Sequence, residues 1–211
     1  MTFQKRKFLQ FVAASGVALT LAACGGGGDS GGTDPGTGTG GSGGSGGGGG
    51  TGALTLTGSS NIPGANVLTP GAGAPGTSTA ALASKLLIAE VSDLNNGVLR
   101  TLMLTINPLG TGATPAVGVV YAIQDPDSNG NYANANLVLP VLSAQVTTTG
   151  GKFYLFGDVK SSGTVKVTAM SATSIDLLLT NVTLSQSTDP KSSATGNAVL
   201  NGTVTLPLTG K

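Results

Sequence analysis

The chain has 211 residues, ten basic and nine acidic side chains, no histidine and a formal net charge of +1. That balance excludes bulk attraction to nucleic acid, and the missing histidine excludes His-based triads and His-liganded zinc. Charged residues make up 9% of the chain against about 25% in ordinary soluble domains, and glycine accounts for 36 positions, so solubility must come from hydroxyls and amides. One cysteine excludes an internal disulfide framework.

Charge shifts along the chain. Lys5, Arg6 and Lys7 lie in the first ten positions, and every acid lies beyond position 28. Residues 1–23 have the layout of an export signal: a basic start, an apolar run over 8–23, and small side chains at Ala22 and Ala23 that suit a peptidase groove. Sixteen residues rise about 24 Å as a helix, short of the roughly 30 Å hydrocarbon core, so a permanent span is not expected.

Leu21-Ala22-Ala23-Cys24 resembles the lipobox of bacterial lipoproteins, at the expected distance from Lys5-Arg6-Lys7. The resemblance covers about 24 residues. It implies that the Cys24 thiol receives a diacylglyceryl group and that the signal is cut just before it. It also implies that the new amine is often acylated. Two or more chains at about 0.8 kcal/mol per buried methylene hold a protein stably in a membrane. Position 25 is Gly rather than Asp, which by the same resemblance implies the outer membrane of a Gram-negative envelope. "QKRKFLQ" (4–10) is also similar to a twin-arginine export motif, with Lys5 where an arginine is usual.

From 25 to 52 the chain is glycine at 18 of 28 positions, with Ser, Thr, Asp, Pro and no apolar side chain. Such a segment cannot offset its ordering entropy and reads as a disordered tether, with a random-coil reach of about 30 Å and a stretched limit near 100 Å. A phosphate-binding loop would need a GK[ST] sequence and a preceding strand, and neither is present.

"ALTLT" (53–57) reads as a weak edge strand, and 58–79 as poorly ordered chain rich in Gly, Pro, Ala and Thr. The division expected is therefore signal 1–23, lipidated tether 24–52, edge strand and low-complexity loop 53–83, and β domain 84–211. Candidate strands cover 85–91, 98–106, 117–123, 136–147, 152–159, 164–170, 174–184 and 197–208, separated by Asn-Gly and Gly-rich turns. This spacing predicts an all-β antiparallel sandwich, with a small up-and-down barrel as the alternative. Val165, Val167 and Ala169 should share one face, as should Leu200, Val204, Leu206 and Leu208. Pro140 and Pro207 belong at edges, bulges or strand ends. The stretch 78–96 reads either as a capped helix or, preferred for the Asn96-Gly97 pair and the β-rich run after it, as part of a hairpin.

"DPDSNGNYANAN" (125–136) is the one stretch with a metal-loop pattern. Asp125, Asp127, Asn129 and Gly130 occupy positions 1, 3, 5 and 6 of a D-x-D-x-[DN]-G calcium loop, and Asn131 would offer a carbonyl at position 7. Position 12 holds Asn136 instead of a bidentate Glu, so a calcium site here would be weak, on the order of millimolar. The same residues are also the preferred turn formers, and the turn reading comes first. In "KFYLF" (152–156), Phe153 and Leu155 should face opposite to Tyr154 and Phe156, giving core on one side and a partly covered apolar patch on the other. An aromatic platform for a hydrophobic ligand or glycan is the functional alternative.

Catalysis finds little support: no acid pair has glycosidase spacing and no S-x-x-K occurs. The sequence therefore predicts a lipid-anchored envelope protein with a non-catalytic β module for binding or structure. It would meet the membrane through Cys24, need no cofactor beyond weak calcium, bind no nucleic acid, and serve a protein or glycan partner. A calcium-stabilised adhesion-type module is the alternative, and a carboxylate-dependent hydrolase follows it.

Overall fold

Threonine and aliphatic residues in alternation build strands, and the computed structural model contains no helix among the residues it describes. Those residues are 50–74, 77–125, 127, 131–148, 150–157 and 160–209. The signal residues Lys5, Arg6, Lys7, Leu21, Ala22 and Ala23, together with Cys24, lie outside them. The strands are β1 (Thr51–Gly58), β2 (Val67–Leu68), β3 (Thr79–Ala83), β4 (Leu86–Asn95), β5 (Val98–Ile106), β6 (Val120–Ala122), β7 (Val138–Val146), β8 (Phe153–Phe156), β9 (Ser162–Met170), β10 (Ser174–Ser185) and β11 (Asn197–Thr209).

They form two layers. The first sheet has the order β2-β1-β11-β10-β9-β6 and the second β3-β4-β5-β7-β8. The two join where β11, having paired with β1, continues past it and meets β3 in parallel at Leu208↔Ala80 and Thr209↔Ala81. At the opposite end of β10, Gln186 bridges to Phe156 of β8. The strand order of the second sheet thus runs lengthwise along the strands of the first, an orthogonal packing that curls the whole into a partly closed barrel. The described residues are all-β, as expected, and their strand pairs are antiparallel apart from the β11–β3 join and a parallel bridge between Ala122 and Leu137.

One core fills the space between the layers. Leu102, Leu104 and Ile106 of β5 and Ile175, Leu177 and Leu179 of β10 belong to one buried cluster, and none is more than 1% exposed. β11 contributes Leu200, Val204, Leu206 and Leu208 on one face, as its alternation predicts. In β9 the alternation holds for Val165 and Val167 but breaks at Ala169, which is exposed. The cause is a register shift against β10: Asp176 pairs with Ala169 and Leu177 with Val167, so Thr168 is an extra residue in the ladder.

Residues 78–96 adopt the hairpin rather than the helix. Asn96 and Gly97 both take positive φ, 49° and 74°, the conformation of a type I′ turn, whose twist matches that of the flanking strands. That turn sets the whole β4–β5 register, from Asn95↔Val98 to Leu87↔Ile106.

Three other expectations are modified. The strand expected at 117–123 shortens to Val120–Ala122, because a turn at 116–119 (Val119 N to Ala116 O, 3.2 Å) precedes it. The expected weak edge strand is flanked on both sides: β1 pairs with β11 along its length and with β2 at Leu54 and Thr55. The chain after it, expected to be poorly ordered, is hydrogen-bonded to the sheets. Past the point where β3 stops pairing, Gly71 donates to Ser92 O (2.8 Å) and Leu94 donates to Ala72 O (2.7 Å), which closes the free edge of β4. The buried Ser78 hydroxyl holds that closure: it accepts from the amides of Gly71 (3.0 Å) and Ser92 (2.9 Å) and donates to Ser92 O (3.0 Å).

Pro140 lies opposite Leu104, two residues before β7 gains β8 as its second neighbour at Leu142, so its missing N–H interrupts no second ladder.

Candidate functional site

The 123–137 loop enters from β6 and leaves into β7. Both ends are clamped: Ile123 donates to Gly163 O (3.0 Å), Ala122 to Asn136 O (3.0 Å), and Asn107 to Leu137 O (2.7 Å). Within it, Asp127 and Asn131 close a smaller loop by two hydrogen bonds of 2.8 Å, Asp127 N to Asn131 O and Asn131 N to Asp127 Oδ1. The carboxylate and carbonyl assigned by the calcium pattern thus bond to each other's residue, the arrangement of an Asx-stabilised turn. Asn136, which stands where the pattern wants a bidentate glutamate, uses its Oδ1 to accept from the Ala113 amide (2.7 Å) and so ties this loop to the one after β5. Asn129 and Gly130 lie outside the described residues.

Gln124, Asp125, Asp127, Asn131, Tyr132 and Ala133 line a shallow pocket of about 280 Å³. Burial pushes the Tyr132 phenol above its ordinary pKa, and the negative charge of Asp125 adds to the shift. The pocket therefore offers carboxylate and amide oxygens beside a neutral phenol, donors suited to a hard cation or a polyol. Among the described residues no three acids, histidines or cysteines converge as a metal-holding group.

The aromatics of "KFYLF" divide as the alternation predicts. Tyr154 and Phe156 are buried in the core, while Phe153 and Leu155 are half-buried on the outer face of the second sheet.

The strongest polar cluster was not singled out by sequence reasoning. Arg100 on β5 and Asp93 on β4 are cross-strand partners, both buried, at 0% and 2% exposure. Arg100 Nε donates to Asp93 Oδ1 (2.8 Å) and Nη2 to Asp93 Oδ2 (2.5 Å), a bidentate fork. The remaining donors reach the chain that precedes β3: Nη2 to Val67 O (2.7 Å) and Nη1 to Ala65 O, while Asp93 Oδ2 accepts from Thr69 N (3.2 Å). A buried charge pair is tolerated when hydrogen bonds replace its lost hydration, and here backbone groups of residues 65–69 supply them alongside the pair's own fork. The pair pins a glycine- and proline-rich segment onto the second sheet; its role is structural. The signal was present in the sequence: counting back from the Asn96-Gly97 turn places Asp93 opposite Arg100, on the alternation that buries Val91 and Leu102.

Compared with known proteins, the chain matches no family model, no curated protein and no solved structure.

Proposed function

We propose that this chain is a bacterial lipoprotein of the cell envelope: cleaved before Cys24, acylated at that thiol, and carrying a non-catalytic β module for binding or structure on a glycine-rich tether. The observation that carries the reading is the order of parts. A basic and apolar leader ends in Leu-Ala-Ala-Cys, 26 further residues of glycine, serine, threonine, aspartate and proline alone follow, and the first strand begins at Thr51. The buried charges at Asp93 and Arg100 are occupied in holding the fold, which supports a module that binds rather than reacts. Gly25 favours the outer membrane of a Gram-negative cell. Intact-mass analysis of protein extracted from its host tests this: the expected species begins at Cys24 and carries a diacylglyceryl and an amide-linked acyl chain. A soluble, unmodified polypeptide would overturn it.

The pocket beside Asp125 and Asp127 favours one variant of this reading, a module stabilised by calcium. Millimolar calcium should then raise the melting midpoint of the wild-type chain and leave that of Asp127→Asn unchanged. Equal midpoints with calcium and with chelator would remove the variant.

A further inference from the structure

Tyr132 is the aromatic side chain that the fold places on a loop. Of the five aromatic side chains among the described residues, Tyr121, Tyr154 and Phe156 are buried, Phe153 lies half-buried on the outer face of the second sheet, and Tyr132 lines the pocket beside Asp125. That pocket is shaped by bonds within its own loop. Asp127 and Asn131 bond to each other, and the Gln124 carboxamide oxygen accepts from the amides of Ala133 (2.6 Å) and Asn134 (3.1 Å). Asn136 fastens the base of the loop to Ala113. These bonds fix the rim before any ligand arrives, which lowers the ordering cost of binding.

The pocket also has a definite place on the fold. The chain enters the domain at Thr51, opposite Thr205. Near the far end of β1, Thr57 pairs with Val199, Val199 with Thr183 and Thr183 with Ser162, and beside them Ile123 donates to Gly163 O. The 123–137 loop therefore leaves the first sheet at the end opposite the chain's entry, roughly 20 Å away along the strands.

We propose that this pocket binds one pyranose ring of a neutral glycan, with Tyr132 against the C–H face of the sugar and Asp125 and Asp127 on its hydroxyls. The inference rests on the reading of the chain as a binding module and names the ligand. A pyranose offers an apolar face and an edge of hydroxyls that both donate and accept. The pocket offers the matching parts: an aromatic ring, two carboxylates and two carboxamides. Its volume of about 280 Å³ lies at the small end of ligand sites, which suits a single ring. Other ligand classes fit less well. Residues 123–137 contain no lysine or arginine, so a phosphate or an anionic headgroup would meet carboxylates without a base. An apolar ligand would find Ala133 as the sole aliphatic side chain among the described lining residues. A calcium ion would share Asp127 Oδ1 and Asn131 O with the amides they already accept, and would leave the Tyr132 ring without a role. Placement at the end opposite Thr51 keeps the pocket clear of the tether's entry.

The test uses the full chain in detergent, with chelator present and with tyrosine rings and backbone amides labelled for nuclear magnetic resonance. Glucose, galactose, mannose and N-acetylglucosamine are titrated in turn. At least one should move the Tyr132 ring and the Ala133 amide while the buried Tyr121 and Tyr154 stay in place. A shallow site for one ring implies a dissociation constant on the order of millimolar. Read at Ala133, Tyr132→Ala should abolish the shifts. Tyr132→Phe, which keeps the ring and loses one hydroxyl, should weaken binding about threefold. Melting midpoints of both variants should match the wild type. No shift with any of the four sugars would overturn the inference. So would shifts with calcium chloride and with no sugar, which assign the pocket to a cation, or a Tyr132→Ala chain that melts normally and binds as before. The envelope reading is judged separately, by the intact mass at Cys24, so either can fail while the other stands.

Discussion

The two sheets share one core and differ on their outer faces. On the first, the outward positions of β1, β11, β10 and β9 are dominated by hydroxyls: Thr51 pairs with Thr205, Ala53 with Thr203, and Thr183 with Ser162. Lys166 and Asp176 supply charge there. On the second, the outward positions are mostly aliphatic. Inward, the two are alike, built from leucine, valine and isoleucine at close to zero exposure. The lesson is that alternation of period two defines which side of a strand is buried only when the other side is polar. Where both sides are apolar, as in "VLPVLSAQV", it shows a strand and leaves the partner of its second face open.

The sharpest way to break the comparison is at the buried charge, which belongs to the second sheet alone. Arg100→Ala strands Asp93 in the interior and releases residues 65–69, at an expected cost of about 3–5 kcal/mol in chemical denaturation, whereas replacing both partners by apolar side chains should recover most of that loss. Next, Leu102→Ala and Leu177→Ala, one per sheet, should each cost about 3 kcal/mol and lower a single shared transition. Two separate transitions would show that the sheets are not one cooperative unit.

Gly97→Ala forces a side chain into a left-handed turn position and should cost about 1–2 kcal/mol, loosening the register that carries Asp93 to Arg100. Tyr121, buried at 0% exposure, has a hydroxyl that the Ala116 backbone approaches without completing a hydrogen bond, and burial raises its pKa above 10.0. The unfolded chain releases that proton first, so stability is intact below about pH 10 and falls as pH rises toward the folded pKa. Tyr121→Phe should flatten part of that alkaline loss and change stability at neutral pH by less than about 1 kcal/mol. Smallest of all, Thr203→Val and Val141→Thr, on the outer faces of the first and second sheets, should each move stability by no more than about 0.5 kcal/mol, measured by chemical denaturation.

Much of this was legible before any coordinates. β5 falls on the residues its alternation marks, and β4, β9, β10 and β11 differ from their expected bounds by a few residues at most. The split of "KFYLF" into core and outer face follows from spacing alone. Less legible was the part that depends on distant chain. "GSSNIPGANVLTPGAGA" has no periodicity, and what orders it are contacts with distant chain: Arg100, Asp93 and Ser92, some 20 to 35 residues away, and Ser193, Thr195 and Asn197, more than 130 residues away. The 125–136 loop carried a recognisable spacing, but spacing could not say that Asn136 would spend its side chain on Ala113 or that Asp127 and Asn131 would bond to each other.

The sequence by itself determined that the described residues form strands, where their hairpin turns lie, and that a basic and apolar stretch ending in Leu21-Ala22-Ala23-Cys24 precedes a glycine tract. Those properties are local: backbone preference, side-chain alternation and turn chemistry act within a few residues. The tertiary structure alone decided that β11 outruns β1 to join the two sheets, that a guanidinium fastens the chain after β1, and that one sheet turns an aliphatic face outward. Each of these depends on which segments meet, and that is settled by burial of the core as a whole and by the demand that buried polar groups find partners.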